Sequence, residues 1–270
     1  MITINKLRLS GLLLLVLAAA VSCNSSDDET GLFTEPELYK LGEFTTDGGI
    51  TVAAYSATPL SMGFHHIYFE VHEDEVLLER PEITFTPIMH MEHHSHASPH
   101  KSPPGERDPD LGLFRGWTIF TMPSGMMGSW ELAVTVHDPE TPGLEIEGVI
   151  DIEIAESAMV RSFLAGNGER YVLTLVQPDD PRTGLNDLIV ALHHRETMMH
   201  FPPVTGAAFD FEPWMPSMDH GSSNNVDPVH ELDGFYHGKV NFNMTGDWEL
   251  RFDIHQGDEH LGNVVFALDF

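Results

Sequence analysis

The sequence predicts an all-β protein, two β-sandwiches in tandem, and three observations predict it. The chain repeats itself. Its apolar residues alternate at period two rather than following a helical period. Turn sequences rich in Gly, Pro and Asp separate the short apolar runs.

The repeat is read from four blocks in order. EFTTDGGITVAAYSATP (43–59) aligns with SFLAGNGERYVLTLVQP (162–178), and GFHHIYFEVH (63–72) with GLNDLIVALH (184–193). FTPIMHMEHH (85–94) aligns with FEPWMPSMDH (211–220), and SWELAVTVH (129–137) with DWELRFDIH (247–255). Self-similarity at a steady offset signals a duplicated structural unit. In IYFEV, Ile67, Phe69 and Val71 share one face and Tyr68, Glu70 and His72 the other. TTDGG and AGNGE each make a turn between two strand-like runs, so each half opens with a predicted hairpin. Trp130 and Trp248 lie on the apolar parity of their strands and are assigned to the cores. Short alternating strands with frequent turns predict immunoglobulin-like sandwiches over 36–156 and 157–270.

Residues 1–22 precede the fold. Lys6 and Arg8 lead into an apolar run, Gly11 to Val21, too short to span a bilayer. It ends at Ala20-Val21-Ser22-Cys23, which resembles a bacterial lipoprotein signal with Ala20 where Leu is usual. The resemblance implies cleavage before Cys23, lipid on its thiol and attachment to the outer membrane. Residues 23–35 then form an acidic tether. The cluster Asn-Ser-Ser-Asp-Asp-Glu resembles the surface-export signal of Bacteroidota lipoproteins, and the alternative is a periplasm-facing lipoprotein.

Cys23 is the only cysteine. Lipidated, it leaves no disulfide, thiolate ligand or Cys nucleophile for the fold, which excludes a blue-copper centre. Removing the signal leaves 11 basic residues against 42 acidic ones, a net charge of −31. Such a surface repels nucleic acid and attracts cations. No G-x-S-x-G, Gly-rich phosphate loop or H-E-x-x-H occurs, so the reading is not an enzyme.

The candidate chemistry is soft-metal binding. PIMHMEHHSHASPH (87–100) holds five His and two Met. The surrounding Pro, Ser and Lys predict a loop lacking a regular strand partner. Met89, Met91, His93, His94 and His96 are its candidate ligands, with His94 and His96 on one face if extended. In the second half, Met215, Met218 and His220 occupy a Pro-broken segment. Met122 and Met244 precede matching turns, the first of which adds Met126 and Met127. Convergence requires these turns to lie at the same end as the Met/His segments. Thioethers with imidazoles and no thiolate fit copper better than zinc. The alternative for the methionines is core packing. His72 with His193, and His137 with His255, recur at strand ends on the outward parity. His230 and His237 have no counterpart in the first half, where Arg115 stands at the place of His237.

The second half carries Pro203-Val204-Thr205-Gly206-Ala207, Met215-Pro216-Ser217-Met218-Asp219-His220 and Gly246-Asp247-Trp248. These resemble the YtkA-like and FixH-like family of extracytoplasmic β-sandwich domains. The first half departs from the motif and reads as a diverged, His-enriched copy. The resemblance implies the sandwich fold and links it to copper handling and oxidase assembly; a metal-receiving protein is the partner expected of a copper-delivery role. The competing readings are an interaction module that binds protein or glycan without metal, and zinc or nickel capture by the His segment alone.

Overall fold

The computed structural model describes residues 38–74, 76–139 and 145–270. The signal, Cys23 and the acidic tether lie outside them. The described residues form strands, turns and bends without a helix, and none is a helix long and apolar enough to cross a membrane. The all-β sandwich expectation holds.

The first sandwich faces two antiparallel sheets. One is ordered β1 (Tyr39–Thr45), β2 (Ile50–Ser56), β3 (Gly63–Glu73), β8 (Phe114–Phe120), β7 (His100–Lys101), with β4 (Val76–Leu77) beside the end of β3. The other is ordered β10 (Glu145–Ile152), β9 (Ser129–His137), β5 (Glu82–His90), β6 (Ser95–Ala97). The second sandwich repeats the plan. Its sheets are β11 (Val160–Leu164), β12 (Arg170–Gln177), β13 (Gly184–His194), β17 (Phe235–Phe242), β16 (Val226–Leu232), and β15 (His220–Gly221), β14 (Ala207–Met215), β18 (Asp247–Gln256), β19 (Glu259–Asp269).

The alternation read from sequence is the packing. In β9, Trp130, Leu132, Val134 and Val136 face inward, and in β18 so do Trp248, Leu250, Phe252 and Ile254. Each such side chain contributes roughly 1.5–3 kcal/mol by leaving water. The opening hairpins agree in backbone detail. Gly49 N–H donates to Thr46 O and Gly168 N–H to Ala165 O, both at 3.0 Å. Gly49 and Gly168 have φ of 82° and 84°, a conformation that favours glycine.

Each sandwich has its own apolar core, and a third cluster joins them. Ile119 from β8 packs with Val160, Val172 and Ala191. Around them Phe64, Trp117 and Phe235 meet edge to face or tilted, with centroids 5.3–5.9 Å apart. Ala97 N–H donates to Met198 O at 2.9 Å, and Lys101 Nζ pairs with Asp233 at 2.5 Å. The described residues therefore form one compact unit.

The placements of residues 87–100 and of His193 differ from expectation. Residues 87–100 are not an unpaired loop: Pro87 to His90 belong to β5, between β9 and β6, and only Met91 to His94 turn. Pro87 itself takes a buried, core-facing position of β5, between Phe85 and Met89. His193 does not face solvent. The sandwich junction covers it, because the outward face of β13 is where the first sandwich docks.

Candidate metal centre

The same arrangement of Met, His and Trp appears at one end of each sandwich. In the first, Met89 on β5 sits opposite Trp130 on one side and His96 on the other. In the second, Met215 closes β14 and sits opposite His220 on β15. Each His meets the Trp edge to face, at 5.5 Å for His96–Trp130 and 6.2 Å for His220–Trp248. Each Trp donates its Nε1–H to a carbonyl at 3.0 Å, that of Met122 in the first and of Met244 in the second.

These indole bonds bring the Met122 and Met244 segments to the Met/His end. A methyl built on Gly246 would fall 2.3 Å from Met215 Cε, and one on Gly128 3.2 Å from Met89 Cε. The condition for convergence, turn and Met/His segment at the same end of the sandwich, is therefore met in both halves.

The histidine tautomers follow from their hydrogen bonds. His96 Nδ1 lies 2.8 Å from Ala97 O, and His220 Nδ1 lies 2.8 Å from Gly221 O. A carbonyl only accepts, so in the neutral imidazole Nδ1 carries the proton and Nε2 keeps its lone pair. His96 is 7% exposed, and its Nε2 is buried with no hydrogen-bond partner among the described residues. Burial lowers the His96 pKa, opposed by the Ala97 carbonyl and reinforced by Arg195 and His94. The ring is thus held neutral, the form that ligates metal.

The candidate ligands separate by environment. Met89 and Met215 are 0% and 3% exposed and belong to the two cores, not to polar loops. Strand pairing carried them inward at the core parity of β5 and β14. Met91 and Met122 pack partly buried against the first core. Met218 and Met244 are exposed, as are Met126 and Met127. His93 and His94 lie on the exposed turn, with His93 3.9 Å from Glu92. His94 and His96 do not share a face, because one ends the turn and the other enters β6. His100, read as a loop residue, is half-buried against Phe85 with Nδ1 2.8 Å from Ser98 O. The turn after Met215 is fixed by Ser217, whose backbone N–H donates to Asp247 at 3.1 Å and whose hydroxyl donates to the same carboxylate. That hydroxyl bond holds the Asp247 carboxyl below the usual range.

Sequence reasoning missed one cluster. Asp253, His255 and His260 place three donor atoms within 4.8 Å of one another on the β18–β19 hairpin. The signal was present as Asp and His two apart on a strand, with a second His just beyond a Gly-Asp turn.

Residues 167–253 match the YtkA-like family model. The YtkA-like segment thus covers the second sandwich from the β11–β12 turn into β18, including Met215, Met218, His220 and Met244. No curated protein matches the chain. Among solved structures, the Escherichia coli adhesin FdeC aligns at 11% identity and a TM-score of 0.26, over 81% of this chain and 63% of that one. Invasin, a bacterial integrin-binding protein, aligns at 12% identity and a TM-score of 0.23, over 82% of this chain and 39% of that one.

Proposed function

We propose that this chain is a non-catalytic cell-envelope protein, anchored by lipid on Cys23, that holds copper in its sandwiches for buffering or delivery to a receiving protein. One observation carries the reading. In both sandwiches a His on a short strand spends its Nδ1–H on the next carbonyl, leaving Nε2 free beside a methionine and a tryptophan. At His96 this nitrogen is also buried and unbonded, which costs about 1–3 kcal/mol, and a bound cation removes that cost. Thioether and imidazole together suit a soft ion, so copper is preferred over zinc. His96 with Met89, Met91 and Met122, and His220 with Met215, Met218 and Met244, are the ligand sets. His93 and His94 on the exposed turn are the entry ligands for the first. The YtkA-like match and the signal-like N-terminus support an envelope location.

Anaerobic Cu(I) titration against a competing chelator tests this. His96→Ala with His220→Ala is expected to abolish tight binding. Met218→Ala is expected to weaken the second site while leaving metal-free stability within about 0.5 kcal/mol, since Met218 is 56% exposed. Met215→Ala should cost about 2–5 kcal/mol whether or not metal binds. Unchanged Cu(I) stoichiometry in the double His variant would refute the proposal.

A second reading, an interaction module without metal, is favoured by β16. Its Val226, Val229 and Leu232 are exposed apolar side chains on a sheet-edge strand. Such an edge offers both backbone pairing groups and apolar surface to a partner.

A further inference from the structure

We propose that Asp253, His255 and His260 form a separate site for a divalent cation of the zinc class, distinct from the Met/His centres. Asp253 and His255 lie two apart on β18 and share its outward face. His260 on β19 pairs directly with His255. The pairing steps from Ile254–Gly262 to His255–His260, so Leu261 is an extra residue on β19. A bulge of this kind bends a strand and re-aims the side chains beside it. Here the two imidazoles are brought to 5.0 Å between centroids.

Both rings turn their Nε2 toward one carboxylate oxygen. Asp253 Oδ1 lies 3.2 Å from His255 Nε2 and 2.7 Å from His260 Nε2. That oxygen is inaccessible to solvent, yet it accepts no hydrogen bond from either ring. Three ligand atoms thus converge on one point, and the ring–carboxylate contacts become ion pairs only when an imidazole is protonated. A tetrahedral Zn2+ with ligand bonds of about 2.0–2.2 Å sets its ligand atoms roughly 3.4 Å apart. Opening the cluster by some tenths of an ångström admits the ion, and side chains half open to solvent permit it.

Two His and one carboxylate, with the fourth position left to water, form a borderline N/O set. It lacks sulfur, so it prefers Zn2+ to Cu(I). Among the described residues the site belongs to the second sandwich alone. In the first, Thr135 stands at the aligned place of Asp253, and Glu145 pairs with His137 where His260 pairs with His255. It also lies at the far end of β18 from Trp248, seven residues and roughly 23 Å along an extended strand. The acidic chain, with Asp258 in the connecting turn and Glu259 opening β19, concentrates cations there.

The proposal stands apart from copper binding, and titration of the metal-free full-length chain with Zn2+ and Co2+ tests it. Wild type is expected to hold one Zn2+ that His260→Ala and the isosteric Asp253→Asn each weaken at least tenfold. Bound Co2+ should give the intense visible band of tetrahedral coordination, absent in both variants. The His96→Ala, His220→Ala double variant should keep both signals. Matching far-UV dichroism and melting of the variants in chelator show that the fold is intact. Zn2+ affinity unchanged in both hairpin variants, or lost only in the His96/His220 variant, would overturn the site.

Discussion

His193 makes the junction of the two sandwiches sensitive to acid, and the effect can be sized. The residue is 2% exposed on β13, its ring 5.8 Å from Trp117 of the other sandwich. Its Nδ1 is buried without a hydrogen-bond partner among the described residues. Burial lowers its pKa from 6.5 to about 4, opposed only in part by the Asp233 carboxylate. That carboxylate is already paired with Lys101 at 2.5 Å. The sign follows from proton counting. Between pH 6.5 and about 4 the unfolded chain binds a proton at His193 that the folded chain does not. The stability it contributes is fully present above 6.5 and is lost as pH falls toward 4. At about 1.4 kcal/mol per pH unit the whole window is worth about 3 kcal/mol, and the part between pH 6.5 and 5 about 2 kcal/mol. His65, His66, His96 and His100 are lowered by burial in the same direction, so the wild-type slope contains their shares too. The variant His193→Gln isolates the junction residue, because an amide does not titrate. Urea unfolding at pH 7 and pH 5 is the assay. Wild type should lose about 2 kcal/mol more than His193→Gln between these pH values. Equal losses would refute the claim that this imidazole is desolvated by docking of the sandwiches.

Two further outcomes are expected. A fragment covering 157–270 should unfold cooperatively on its own core but at a lower midpoint than the full chain, because Val160, Val172, Ala191 and His193 become exposed. A fragment without a cooperative transition would show that the third cluster is indispensable. Cys23→Ser should release the protein from the membrane fraction or leave it unprocessed; fractionation with membrane at unchanged mass would refute lipidation.

The sequence by itself determined the fold class and the duplication. Period-two alternation decides which side chains leave water, and that is a local property of a strand, so Trp130, Trp248 and their neighbours were placed correctly from the pattern alone. The Gly-containing turns were legible for the same reason: few residues adopt the required φ. The convergence of the Met122 and Met244 turns on the Met/His segments was decided by tertiary structure, through indole hydrogen bonds reaching back across each hairpin. So was the conversion of a His-rich stretch into two paired strands. Its Pro, Ser and Lys content argues for a loop, but pairing with β9 and β6 gives Met89 and His96 burial that local propensity does not encode. His193 and the Asp253 cluster show the same limit. One depends on which sheet face the neighbouring sandwich covers, the other on a one-residue bulge that turns two rings toward a single oxygen. Both are set by contacts between residues distant in the chain or by register across strands, and no single strand's pattern carries that information.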